Sequence, residues 1–166
     1  MVVDLQNLFN NEGEEISIDF SMDLSGYDYN GAKPFTSPVR TVGKIKNTAN
    51  VVELRAEVDF TVEFDCDRCA DRSRKEFLVP IEHILVSELQ DETNDDFLLV
   101  QNMELDLDDL VLTDVLLCMP TKLLCSDSCK GICAGCGKNL NREECACKRS
   151  ADPRWDVLRD LLEEDD

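Results

Sequence analysis

From Leu54 to Phe64 an apolar side chain occupies every second position: Leu54, Ala56, Val58, Phe60, Val62 and Phe64, separated by Arg55, Glu57, Asp59, Thr61 and Glu63. A helix would scatter these residues around its surface, whereas an extended strand sets all six on one face, because successive side chains alternate. The chain therefore builds a sheet with one buried and one wet face, the habit of antiparallel pairing. Val42 and Ile45 belong to the preceding strand, joined to this one by Asn47-Thr48-Ala49-Asn50. Phe77, Val79, Ile81 and Ile84 mark a strand that returns after the turn from Cys66 to Ser73.

Other segments fit around that sheet. Leu5, Leu8 and Phe9 predict a short helix docked on the core and closed by Asn10-Asn11-Glu12-Gly13. Ile16-Ser17-Ile18-Asp19-Phe20 alternates as a half-buried strand, Gly26 to Pro38 reads as a loop, and Phe97-Leu98-Leu99-Val100 suits one further strand. The acids from Asp91 to Asp96 form a solvated connection without the spacing of a calcium loop. Asp106 stands where an N-cap belongs, ahead of Leu107, Leu110, Val111, Asp114, Val115 and Cys118 at helical spacing, and Pro120 ends that run. Asp114 is expected at the helix edge rather than as a paired buried acid, and Cys118 reads as a core thiol. Asp152-Pro153 opens a last helix with the stripe Trp155, Leu158, Leu161 and Leu162, in which Trp155 anchors packing. The fold class is α+β: a mainly antiparallel sheet able to curl into a barrel-like form, one long helix, and a C-terminal cysteine-rich zinc knuckle. Residues 1–120 form the core domain, and residues 121–166 the metal-binding segment and C-terminal helix.

Hydrophobic residues make up 43% of the 166, enough for one sizeable core with a small appendage. There is no apolar run of about eighteen residues and no basic, apolar leader in Met1-Val2-Val3-Asp4, so a cytoplasmic protein without a membrane span is expected. A formal net charge of −19 argues against broad nucleic-acid binding, which depends on Lys and Arg neutralising phosphates, and favours a basic protein partner. The charge is uneven: Asp91 to Asp109 carries eight acids and no base, whereas Cys118 to Arg149 carries six bases against three acids. Any RNA contact is expected on the second stretch, through Lys130, Lys138, Lys148 and Arg149, joined by Arg68, Arg72, Arg74 and Lys75; a solvated scatter of charge is the plain alternative.

Nine cysteines in a reducing compartment point to metal before disulfides. Six of them, Cys125, Cys129, Cys133, Cys136, Cys145 and Cys147, crowd one segment, and Cys66-x2-Cys69 interrupts two strands. A C-x2-C turn aims two thiolates at one ion while backbone N–H groups bond to sulfur, and Gly135 and Gly137 permit that turn around Cys133 and Cys136. Zinc takes four ligands in a tetrahedron. One site would use Cys133 and Cys136 with Cys145 and Cys147, or with Cys125 and Cys129; if Cys66 and Cys69 fold back onto the segment, eight ligands make two sites.

Three rivals are weighed against zinc. Cys129-x3-Cys133-x2-Cys136 has the spacing that holds an iron–sulfur cluster in radical S-adenosylmethionine enzymes, but only thirty residues follow Cys136, too few for their barrel. Iron–sulfur ligation without that chemistry remains an alternative, since thiolates serve both metals. A thioredoxin-like role for Cys66-Asp67-Arg68-Cys69 lacks the strand-to-helix setting such pairs need. The single histidine, His83, sits mid-strand in a structural role, no phosphate-cradling loop occurs, and no small-molecule substrate is evident, so an enzyme is disfavoured.

Taken in order, Asn47-Thr48, Phe64-Asp65-Cys66-Asp67-Arg68-Cys69-Ala70, Asp106-Leu107, Met119-Pro120, the stretch from Leu124 to Asn141, and Asp152-Pro153-Arg154-Trp155 resemble the YceD family of large ribosomal RNA subunit accumulation proteins. The departures are slight: Ala70 stands where Leu is expected and Ala134-Gly135 where a Pro is common. The resemblance implies a non-enzymatic role in large-subunit ribosome biogenesis that supports accumulation of the large ribosomal RNA. Genes of the family often neighbour that of a small basic large-subunit ribosomal protein, and some relatives lack the C-terminal cysteines, which implies a stabilising task for them. The partner implied is a basic ribosomal protein or large-subunit pre-rRNA. A zinc-stabilised adaptor unrelated to ribosomes and a thiol redox enzyme are the alternative classes.

Overall fold

The computed structural model describes residues 1–88 and 97–147. In chain order its elements are β1 (Val2–Asp4), α1 (Gln6–Asn10), β2 (Glu15–Met22), β3 (Val39–Thr48), β4 (Val51–Asp65), β5 (Arg72–Val86), β6 (Phe97–Leu99), β7 (Glu104–Asp106) and α2 (Leu107–Cys118). One sheet runs β2-β3-β4-β5-β6, and β1 pairs separately with β7. All pairings are antiparallel except β5 with β6. The five-stranded sheet curls into a half-barrel, so the chain is mainly β.

The period of two holds along β4: Leu54, Ala56, Val58, Phe60, Val62 and Phe64 are all buried, and Arg55, Glu57 and Asp59 face water. Thr61, expected on the wet face, is buried at 6% exposure. The loop around Phe35 runs alongside this end of β4, bridging to Val62 while the Pro34 carbonyl accepts from the Glu63 amide at 2.8 Å. That loop also delivers Phe35 into the core, where its ring lies 6.0 Å from Phe60, itself stacked on Phe77 at 5.1 Å.

Curvature has an identifiable seat at Gly43. Gly43 faces Ala56 across the β3–β4 ladder, and a Cβ on it would stand 2.3 Å from both the Ala56 Cβ and the Arg55 carbonyl oxygen. The strands approach here more closely than two side chains permit, the usual reason for glycine inside a strand and a means of bending a sheet.

The connection from β3 to β4 is tighter than four residues. Asn47 and Thr48 pair with Val52 and Val51, leaving a two-residue turn of Ala49 and Asn50 at φ +52° and +63°. Positive φ at both central positions is the turn whose twist matches a hairpin. Asn47 points inward instead, and its Nδ2 donates to the Leu8 carbonyl at 2.8 Å, tying β3 to α1. Leu5 at the start of that helix and Leu8 within it, with Leu107, Val111 and Val115 of α2, close the concave side of the sheet in one continuous core.

The Asp106 carboxylate accepts from the Asp108 amide at 3.0 Å, so it caps α2 as expected. The long helix is a correction: α2 has 12 residues, about 18 Å at 1.5 Å per residue. Met119 already has the extended ψ of 127° and Pro120 follows, so the helix has nowhere to continue. The three-residue β1 and β7 and the parallel pairing of β6 are features that the sequence pattern does not signal. The expected helix from Asp152 and the acidic connection Asp91 to Asp96 lie outside the described residues.

Candidate metal centre

Eight of the nine cysteines gather into two groups of four: Cys66, Cys69, Cys125 and Cys129, and Cys133, Cys136, Cys145 and Cys147. Within each group all sulfurs lie within 4.8 Å of one another, so each could hold a metal ion. The alternative pairing of Cys133 and Cys136 with Cys125 and Cys129 is not the one the fold makes.

The first group is built where β4 ends. Cys66 and Cys69 form a turn closed by the Ala70 amide donating to the Cys66 carbonyl at 2.8 Å, with Ala70 at φ +57°. The segment from Leu123 is laid against that turn. The Asp67 amide donates to the Leu123 carbonyl at 3.0 Å, the Leu123 amide to the Asp67 carboxylate at 2.6 Å, and the Cys125 amide to the Cys66 sulfur at 3.3 Å. Arg68 reaches back to donate to the Cys129 carbonyl at 3.1 Å, and its own carbonyl accepts from the Ile132 amide at 3.0 Å. Gly131, at φ +75°, fits there because a Cβ would lie 3.0 Å from the Arg68 oxygen. The sulfurs of Cys66 and Cys129 are 3.9 Å apart and those of Cys69 and Cys125 3.7 Å.

The second group belongs to one local loop. The Cys133 amide donates to the Lys138 carbonyl and the Gly137 amide to the Cys133 carbonyl, both at 2.8 Å, and Gly137 takes φ +72°. That turn presents Cys133 and Cys136. The returning chain brings the Cys145 sulfur 3.3 Å from Cys133 and 3.5 Å from Cys136. Asp71 anchors the loop to the sheet through Asn139 at 2.8 Å and Arg142 at 3.0 Å.

Crowded thiols divide in acidity. Burial pushes Cys66 up, but the amides of Cys125, Arg68 and Cys69 bring it down to about 6. The amides of Gly135 and Cys136 lower Cys133 to about 6 as well. At Cys69 the Asp71 amide favours the thiolate, yet burial and the neighbouring sulfurs win and raise it to about 12; at Cys147 the sulfurs of Cys145 and Cys136 do the same. Cys129 is lowered first by the Asn141 amide group, and Cys125 is raised first by Cys129. Four thiolates repel one another in one spot, and a bound cation is what lets all four ionise.

Supporting residues were less legible than the cysteines. Asn141 donates to the Cys129 sulfur at 3.3 Å and accepts from the Lys130 amide at 2.7 Å, and Asp67 and Asp71 brace the two loops. Asn139 and Asn141 stand in the stretch that carries the family resemblance, a signal that could have singled them out.

The expected basic surface is largely engaged within the protein. Arg72 pairs with Glu63 at 3.1 Å, Arg74 with Glu76 at 3.7 Å and Lys138 with Glu143 at 3.0 Å. Arg68 braces Cys129, and Lys75 sits 5.5 Å over the Phe77 ring. Lys130 is exposed with no ion pair among the described residues, and Lys148 and Arg149 lie outside them.

His83 and Asp114 form a pair not expected of the latter: Nε2 lies 2.8 Å from the carboxylate, joining β5 to α2. Cys118 belongs to neither metal group; its thiol donates to the Val115 carbonyl at 3.1 Å and burial raises its pKa, the reverse of what a nucleophile needs. The Cys66–Cys69 turn lies between antiparallel β4 and β5, not at the start of a helix.

Residues 54–162 match the family model described as large ribosomal RNA subunit accumulation protein YceD. Neither the curated proteins nor the solved structures compared with the chain provide a match.

Proposed function

The chain belongs to the YceD family of large ribosomal RNA subunit accumulation proteins, and from that premise we propose a non-enzymatic factor of large-subunit assembly that engages a basic ribosomal protein and uses zinc as a structural staple. The match carries this reading, since it spans both cysteine groups and the β4–β5 hairpin that positions the first of them. A protein partner is favoured over pre-rRNA by charge: the net balance is −19, and Arg72, Arg74 and Lys138 already face Glu63, Glu76 and Glu143. Such a surface attracts and orients a basic chain, while a phosphate backbone meets an unfavourable field. The segment from residue 121 is then an appendage stapled to the core. None of the helices among the described residues is long and apolar enough to cross a membrane, and the family points to the cytoplasm.

Zinc fits the donor set. Four thiolates about 2.3 Å from one ion stand about 3.8 Å apart in a tetrahedron, and the first group offers 3.9 and 3.7 Å, the second 3.3 and 3.5 Å. An iron–sulfur cluster sets inorganic sulfides and several irons between its cysteines and spreads them wider than the 4.8 Å limit met here. Elemental analysis of the purified protein should find about two zinc ions per chain, without visible colour. Depletion of the protein followed by sucrose-gradient profiles tests the role: large subunits should fall, and unchanged levels would overturn it. Capture of partners with and without ribonuclease separates the two modes, and loss of all partners after ribonuclease would replace the protein partner by RNA.

A further inference from the structure

The two cysteine groups are physically unequal. In the first, Cys66, Cys69 and Cys129 are 3%, 4% and 5% exposed and Cys125 alone is exposed, and the four span the hairpin and the distant C-terminal segment. In the second, Cys136 and Cys147 are exposed and Cys133 and Cys145 half-buried, and all four lie in the short stretch that ends at Cys147. The exposed Cys136 sulfur has the Cys145 sulfur 3.5 Å away. Resting on the zinc reading above, we propose that the second group is a redox-labile zinc site, in which a peroxide joins Cys136 to Cys145 as a disulfide and expels the ion while the first group keeps its own.

The chemistry balances with hydrogen peroxide as oxidant. The Cys136 thiolate attacks one peroxide oxygen; an S–O bond forms, the O–O bond breaks, and hydroxide leaves. The Cys145 thiolate then attacks that sulfur; the S–S bond forms, the S–O bond breaks, and a second hydroxide leaves. The two sulfurs surrender two electrons in all, and the cleaved O–O bond takes them. Cys133 and Cys147 remain, too few thiolates for a tetrahedral zinc site. The first group offers the oxidant a single exposed sulfur, Cys125, whose neighbour Cys69 at 3.7 Å is buried with Cys66 and Cys129, so the same reaction runs more slowly there.

The test uses the full chain loaded with zinc, weighed intact in its native state, then titrated with hydrogen peroxide while a chromogenic chelator reports released zinc and alkylation with peptide mapping reports the thiols. The expected result is two zinc ions before oxidation and loss of one, with a Cys136–Cys145 disulfide, with Cys66, Cys69, Cys125 and Cys129 still alkylatable after denaturation, and with one zinc taken up again after reduction by dithiothreitol. A Cys145→His chain, which keeps a fourth ligand but cannot close the Cys136–Cys145 disulfide, should hold two zinc ions and release the second-group ion more slowly at the same dose, and release as fast as in the parent would overturn the role of Cys145. Loss of both ions together, or a first disulfide that includes Cys66, Cys69, Cys125 or Cys129, would overturn the redox proposal while leaving the zinc reading intact. A chain that holds no zinc before oxidation would overturn both.

Discussion

The sulfurs of Cys66 and Cys129 lie 3.9 Å apart although 63 positions separate them in the chain. An ion held between them would tie the tip of the β4–β5 hairpin to the C-terminal segment, whereas an ion in the second group would tie that segment only to itself. Cys66→Ser and Cys136→Ser should therefore each lower metal content from two ions to one but differ in stability. A loss of about 3 kcal/mol at the first site would lower the thermal midpoint by about 10 °C in a chain of this size. The Cys136→Ser chain should unfold close to the parent, and equal midpoints for the two variants would contradict the division of labour.

Metal removal should act locally. Thiolate sites are assembled by their ions, and a segment with few apolar contacts has little else to hold it. Among the described residues, Leu124 is the one hydrophobic side chain packed against the buried cysteines of the first group. Treatment with a strong chelator should speed amide exchange from residue 121 to 147 while β3 and β4 stay protected, as hydrogen-exchange mass spectrometry would read. Exchange rising equally through Val58 and Phe60 would mean that the half-barrel also depends on metal.

The alternation in β4, the Asp106 cap and the cysteine knuckles were legible because each is a local pattern: a period of two, a short polar side chain before an apolar helix, two thiols with two residues between them. The division of eight cysteines was not, because nothing near Cys66 in sequence states that Asp67 will clasp Leu123 from 56 positions away. Strands of three residues, as in β1 and β7, are too short to display a period, and Phe35 entered the core from a segment whose Gly and Pro content marked it only as loop. The spacing within α2 says nothing of a partner for Asp114, because His83 stands on another element.

Gly43 supplies a prediction about curvature. Gly43→Ala places a methyl group 2.3 Å from the Ala56 Cβ and from the Arg55 carbonyl, so β3 and β4 must separate. Overpacking of this kind costs about 1–3 kcal/mol, read as a lower midpoint in urea unfolding. Adding Ala56→Gly relieves the side-chain clash but not the one with the carbonyl, so rescue should be partial. Full recovery would show that the backbone has room to give.

The His83–Asp114 pair fastens α2 to β5 with its carboxylate at 13% exposure. Asp114→Ala leaves the imidazole of a half-buried residue without that partner, at about 1.5–3 kcal/mol for a hydrogen bond to a charged group. Stability should fall while zinc content stays at two ions, because neither residue approaches the cysteine groups. A change in metal content on this substitution would reveal coupling through the core.

Asn47 makes a finer prediction, since its side chain is only half satisfied. Its Nδ2 donates to the Leu8 carbonyl at 2.8 Å, but its buried Oδ1 has no partner. Asn47→Ala removes one unsatisfied acceptor and creates another, the Leu8 carbonyl, so the net loss should sit at the low end of the about 1–3 kcal/mol attached to a buried orphan. The main chain keeps the site in place regardless, with the Asn47 amide donating to the Glu14 carbonyl at 3.1 Å and its carbonyl accepting from Gly13 at 3.0 Å. The effect should therefore fall on α1 alone, where the Phe9 and Asn11 amides bonded to Leu5 and Asn7 exchange faster while those of β3 do not. Faster exchange throughout β3 would instead make Asn47 a support of the whole sheet edge.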